Sequence, residues 1–139
     1  MFYRLEIKPD YGKASVVNNM ATNWSRIKKY VNPVKVENIL DVGCAYGFGL
    51  QYLKGEMPGA SIYGIESSPD GCASLESPEI GGKLITNDFD LDWEQEYRNK
   101  MDIIIVRHVF EHVLEPMKTL AKLRTALKPD GVIYFAVPD

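Results

Sequence analysis

The spacing of apolar positions changes near residue 34. Before it, Trp24, Ile27, Tyr30 and Val31 recur at helical intervals. That predicts a helix near 20–31, stopped by Asn32-Pro33. The preceding stretch, with Pro9, Asp10 and Gly12, reads as an arm or loop. From residue 34 onward, strand-like and helix-like segments alternate. Val36 to Val42 (VENILDV) is an apolar strand ending in glycines, and Tyr46, Leu50, Leu53 and Met57 then recur at helical spacing up to Pro58-Gly59. Ser61 to Ile65 is a second short strand, after which Ser67-Ser68-Pro69-Asp70 supplies a helix cap and a first-turn proline. Lys83 to Thr86 reads as a third strand, and a polar helix is expected over Leu91 to Asn99.

Met101 to Arg107 (MDIIIVR) is apolar on four successive residues, Ile103 to Val106. Half-buried alternation cannot produce that run, whereas a strand covered on both faces can. A helix with Met117, Leu120, Leu123 and Leu127 on one stripe comes next, then a Lys128-Pro129-Asp130-Gly131 turn and a buried strand, Val132 to Val137. Five strands alternating with helices predict an α/β fold with a mostly parallel, open sheet. Ligands of such sheets lie at the carboxyl ends of the strands.

Composition narrows the class. The 139 residues suffice for one domain, and a hydrophobic content of 45% with 25% charged residues is that of a soluble globular chain. Sixteen basic and nineteen acidic residues give a net charge of −3, with no basic run longer than a pair, so no nucleic-acid surface is expected. Two cysteines are too few for a disulfide framework and lack metal-ligand spacing. With no apolar run of membrane-spanning length, the chain reads as soluble and cytoplasmic.

The candidate chemistry gathers at the strand ends. Asp41-Val42-Gly43-Cys44-Ala45-Tyr46-Gly47-Phe48-Gly49 joins the first strand to its helix. Its glycines permit a sharp turn and close approach to a ligand, and the helix start offers free N–H groups to a carboxylate or phosphate. A nicotinamide dinucleotide fingerprint starting at Gly43 would need glycine where Ala45 and Phe48 stand. Asp41, just before the turn, would repel a pyrophosphate but suits an ammonium group. Glu66 ends the second strand, where a carboxylate can accept from both hydroxyls of a ribose. Asp88 beside Phe89 comes after the third strand and suits an adenine, although Asp88 equally fits a helix cap. His108-x-x-Glu111-His112 matches an inverted zinc-peptidase spacing. Its place directly after a buried strand, with Pro116 close behind, argues against that reading, and no metal site is expected.

These motifs resemble those of the class I S-adenosylmethionine-dependent methyltransferases, in particular the small-molecule group that includes the type 11 and type 23 families. ILDVGCAYGFGLQYLK resembles their first motif (D/E-x-G-x-G-x-G), IYGIESSP the second-strand motif, and ITNDFD the adenine-contacting motif. MDIIIVRHVFEHVLEPMKTLAKLRTALKPDGVIYFAVPD resembles their fourth-strand block with its succeeding helix, turn and strand. The resemblance covers residues 34–139. It implies a Rossmann-like three-layer α/β/α sandwich, residues 34–139 forming the cofactor domain and residues 1–33 an N-terminal arm and helix.

The resemblance further implies that Asp41, Gly43 and Gly47, with Cys44, Ala45 and Tyr46 between them, surround the methionine moiety of S-adenosylmethionine. It places Glu66 and Ser67 at the ribose, Asp88 and Phe89 at the adenine, and Arg107 and His108 near the sulfonium. His108 is the candidate catalytic residue. Ala45 replaces the usual middle glycine. The expected activity is methyl transfer to an O, N or C nucleophile of a small molecule, leaving S-adenosylhomocysteine; the alternative is a module that binds the cofactor without turnover. Family members continue past the fifth strand into antiparallel strands that this chain lacks. An incomplete domain is therefore expected, with the fifth strand as an exposed edge open to a second copy of the chain.

Overall fold

A computed structural model describes residues 9–107 and 115–136, with side chains from residue 12 onward. Its elements are helix α1 (Pro9–Ile27), a 3-10 turn (Pro33–Lys35), strand β1 (Asn38–Val42), helix α2 (Phe48–Glu56), strand β2 (Ser61–Ile65) and helix α3 (Pro69–Leu75). Strands β3 (Lys83–Thr86) and β4 (Met101–Arg107), helix α4 (Pro116–Ala126) and strand β5 (Leu127–Ala136) complete it. The strands form one sheet in the order β3-β2-β1-β4-β5, and every neighbouring pair is parallel. The α/β class and the five parallel strands are as the sequence predicts.

Burial follows the pleat. Ile39, Ile62, Ile103 and Ile105 face one side, where Met20, Trp24 and Ile27 of α1, Leu50 and Leu53 of α2 and Leu75 of α3 cover them. Leu40, Val42, Tyr63, Ile65, Ile104 and Val106 face the other side, against Leu123 and Ala126 of α4 and against Trp93 and Tyr97. Ile103, Ile104 and Ile105 are all fully buried because both faces are covered. Each contributes about 2 kcal/mol of hydrophobic stabilisation. The result is a three-layer sandwich.

Five local expectations need correction. Pro9 to Gly12 is the start of α1 and not an arm. Proline is tolerated in a first turn, and Met20, Trp24 and Ile27 supply the stripe that docks the helix. The helix ends at Ile27, and Tyr30, expected on its apolar face, is 75% exposed. Residues 91–99 form turns and not a helix. Trp93 and Tyr97 are drawn into the sheet face, and the Trp93 indole donates to the carbonyl of Phe89 at 3.0 Å, so tertiary anchoring overrides the local pattern. In α4 the buried positions are Thr119, Lys122, Leu123 and Ala126, while Met117 is 78% exposed and Leu127 already belongs to β5. The 128–131 turn lies inside β5 as an irregularity: Leu127 pairs with Met101, and Val132 resumes opposite Ile103.

Candidate functional site

The register of the sheet aligns four strand ends. Thr86 of β3 lies opposite Ile65 of β2, Ile65 opposite Val42 of β1, and Val42 opposite Val106 of β4. The residues just beyond these ends, Asn87 to Phe89, Glu66, the Gly43 turn and Arg107, therefore leave the sheet side by side. Three intervals of about 4.8 Å put roughly 14 Å between the outer two, the length scale of a nucleoside with an extended tail.

The turn after β1 is built on left-handed backbone. Gly43, Ala45 and Gly47 have φ of 78°, 50° and 86°. Glycine adopts that region freely, whereas alanine there costs about 1–2 kcal/mol. The Gly43 and Cys44 amides donate to the carbonyl of Ile65 at 2.8 and 3.3 Å, which ties the turn to the end of β2. Gly47 caps α2, and its amide donates to the Cys44 carbonyl at 3.0 Å. Tyr46 is partly exposed and stacks on Phe48 with centroids 6.0 Å apart. The Cys44 side chain is buried in the core beside Gly64, away from the surface of the turn. Burial pushes its thiol well above the ordinary value, and the charges of Asp41 and Glu66 add to that shift.

Glu66 is held by the same turn. Its Oε1 accepts the Ala45 N–H at 2.9 Å, and its Oε2 accepts the Ser68 N–H at 2.8 Å. Each oxygen keeps a lone pair for another donor. Ser68 caps α3 as expected, accepting from the Gly71 amide at 2.9 Å, while Ser67 is exposed. A Cβ on Gly71 would stand 2.7 Å from the Ala45 carbonyl oxygen and 2.8 Å from Glu66 Cγ, so only glycine fits behind the acid.

Asp41 is fully buried. Its Oδ2 accepts from Arg107 Nη2 at 3.1 Å. Its Oδ1 and Arg107 Nε have no hydrogen-bond partner among the described residues. Burial raises the carboxyl above its ordinary value; Arg107 opposes the shift by charge and hydrogen bond, and Glu66 adds to it. A buried acid with one oxygen unmatched and a second carboxylate nearby has capacity for a cation or donor.

Asp88 stands apart. It is exposed, and its Oδ1 folds back onto the Asp90 N–H at 3.0 Å, capping a turn and no helix. Phe89 is half-buried, packs on Trp93 at 5.6 Å and lies 5.8 Å from Lys122 Nζ. The structure thus brings Asp41, the glycine turn, Glu66 and Arg107 into contact, with Asp88 and Phe89 at the tip of the adjoining edge strand. His108, Glu111 and His112 lie outside the described residues.

Sequence reasoning missed Asn19. Its Oδ1 accepts from Arg107 Nη1 at 3.3 Å and from Asn23 Nδ2 at 3.0 Å, while Asn23 Oδ1 accepts from the Tyr134 hydroxyl at 3.0 Å. The only local signal is two asparagines four apart on one helical face.

Comparison with known proteins shows the family. Residues 16–139 match the model of a methyltransferase domain family, Methyltransf_23. The chain belongs to that family. Among curated relatives, it is 28% identical over 122 residues to the ubiquinone biosynthesis O-methyltransferase of Histophilus somni (strain 2336), covering 83% of this chain and 50% of the relative. It is 25% identical over 113 residues to the tRNA U34 carboxymethyltransferase of Desulfotalea psychrophila, covering 79% and 35%. A solved structure of the plantazolicin methyltransferase BpumL in complex with SAH superposes with a TM-score of 0.68 at 23% identity, covering 92% of this chain and 53% of that one. The methyltransferase chain thus spans about half the length of the ubiquinone relatives it matches first.

Proposed function

We propose that this chain is the cofactor-binding domain of an S-adenosylmethionine-dependent methyltransferase, with residues 34–139 as its core and α1 docked on it. The observation that carries the reading is the alignment of four strand ends around a buried carboxylate with one unmatched oxygen. Asp41 Oδ1 answers the ammonium of the cofactor's amino-acid end. The left-handed turn from Gly43 to Gly47, whose amides at 43, 44, 45 and 47 are engaged within the fold, lies against that end with Cys44, Ala45 and Tyr46 contributing backbone. Glu66, pinned by two amides, presents its remaining lone pairs to the ribose hydroxyls, with Ser67 next to it. Asp88 and Phe89 take the adenine end, for which Asp88 exchanges its turn contact for the ring's amino group. The resemblance assigns Arg107 and His108 to the sulfonium.

When bound, S-adenosylmethionine supplies an electrophilic methyl group and leaves as the thioether S-adenosylhomocysteine. The protein's part is chiefly to align donor and acceptor, since displacement at carbon depends on geometry. His108, directly after β4, is the candidate to line the acceptor side and take up its proton. The O-methyltransferases among the relatives favour an oxygen on a small molecule as the acceptor. In those relatives the matched region is only part of the chain, and a module that binds the cofactor without turnover is the alternative.

Calorimetry tests the reading. S-adenosylmethionine and S-adenosylhomocysteine should bind in the micromolar range, about −8 kcal/mol, with NAD silent. Glu66→Ala should weaken both by at least tenfold, since it removes charge-assisted hydrogen bonds worth roughly 1.5–3 kcal/mol each. Equal affinity of Glu66→Ala and the parent would refute the ribose assignment.

A further inference from the structure

A polar chain runs from the glycine turn to α1. Arg107 spans it: Nη2 donates to Asp41 at 3.1 Å and Nη1 to Asn19 at 3.3 Å. Asn19 is tied to Asn23, Asn23 to the Tyr134 hydroxyl, and that hydroxyl accepts from Arg26 Nη1 at 3.2 Å. Three elements, β4, α1 and β5, thus end on one carboxylate of β1.

The packing makes room for this. A Cβ on Gly49, in the first turn of α2, would lie 2.7 Å from Met20 Cε and 3.2 Å from Arg107 Nη2. Glycine there lets the guanidinium pass beneath α2, and Met20, next to Asn19, is fully buried in the same place. Only the planar fork of arginine can hold Asp41 and Asn19 at once; an ammonium has no such fixed geometry.

We propose that Arg107 and Asn19 are positioning residues that act through Asp41. Arg107 engages Oδ2, leaving Oδ1 for the ammonium of the bound amino-acid end, and Asn19 fixes Arg107 to α1. Affinity for that end of the ligand therefore depends on α1 through Arg107. The inference rests on reading the glycine turn as the amino-acid subsite. It differs from that reading in assigning a role to α1 and in making Arg107 a support of Asp41.

The experiment compares S-adenosylhomocysteine with 5′-methylthioadenosine, which carries the nucleoside but no amino-acid end. Both are titrated calorimetrically into the parent chain and into Arg107→Lys, Asn19→Ala and Glu66→Ala, with thermal unfolding of each. Arg107→Lys should weaken S-adenosylhomocysteine about tenfold and Asn19→Ala about threefold, with methylthioadenosine binding unchanged in both. Asn19 is solvent-exposed, so its alanine variant folds as the parent does. Proportional weakening of both ligands would reduce the two residues to fold support and overturn the proposal. So would unchanged binding of S-adenosylhomocysteine. Should Glu66→Ala weaken both ligands while the other variants match the parent, the relay alone fails; should the parent bind neither ligand, the site reading fails and the relay with it.

Discussion

Among the described residues two acid–base pairs are buried, one on each face of the sheet, and they are built differently. Lys122 and Glu94, 3.0 Å apart, join α4 to the turns after β3, and Lys122 Nζ also donates to the carbonyl of Leu91 at 2.6 Å. Burial alone would raise the Glu94 carboxyl, but backbone N–H groups and Lys122 outweigh it and hold it below the ordinary value. Asp41 and Arg107, 3.1 Å apart, sit at the carboxyl ends of β1 and β4, with Asp41 Oδ1 and Arg107 Nε unmatched among the described residues, and the Asp41 carboxyl is pushed up. One pair is complete; the other keeps capacity where a parallel sheet binds its ligands. Incomplete satisfaction, rather than burial or charge, is what separates the two pairs.

The largest effect that can test this contrast is on the complete pair. Lys122→Met leaves Glu94 without its ion partner and should cost about 3 kcal/mol in denaturant unfolding. Cofactor affinity should stay within twofold. A drop in affinity as large as the drop in stability would erase the distinction.

The two carboxylates should also answer pH in opposite senses. Glu94, held below its ordinary 4.5, stabilises the fold above that value, and the contribution is lost as pH falls through the folded value. Asp41, raised above 3.8, contributes below that value, and the contribution is lost as pH rises through the folded value. Unfolding free energies of Glu94→Gln and Asp41→Asn, each subtracted from the parent across the acid range, should slope in opposite directions. Parallel slopes would mean that the two sites are electrostatically alike.

The smallest effect lies in the glycine turn itself. Ala45 sits at φ 50°, so Ala45→Gly should raise stability by about 1 kcal/mol or slightly less, the relief of strain exceeding the added freedom of the unfolded chain. A loss of stability by thermal unfolding would show that the alanine methyl packs usefully.

Much of this was legible in the sequence because it is local. Ser61–Ile65, Lys83–Thr86 and Met101–Arg107 form strands at the bounds their apolar runs predict, and Ser68 caps its helix as its spacing suggests. Asp41, Glu66 and Asp88 could be singled out because each lies within two residues of a strand's carboxyl end. What escaped was tertiary. The 91–99 segment is carried by Trp93 and Tyr97 into the sheet against a pattern that reads as helix. The Asp41–Arg107 contact joins residues 66 apart and Arg107–Asn19 residues 88 apart, so no periodicity reports them. Nor does the sequence show that both Glu66 oxygens are already engaged by the turn that Glu66 borders.

The contrast between the pairs is tested most directly by the affinity of Asp41→Asn for S-adenosylhomocysteine, measured by calorimetry beside Glu94→Gln. Asp41→Asn should stay folded and bind at least tenfold more weakly, through loss of one charge-assisted contact worth roughly 1.5–3 kcal/mol, while Glu94→Gln binds as the parent does. Parental affinity in Asp41→Asn would contradict the account, because the unmatched oxygen of Asp41 would then serve no ligand.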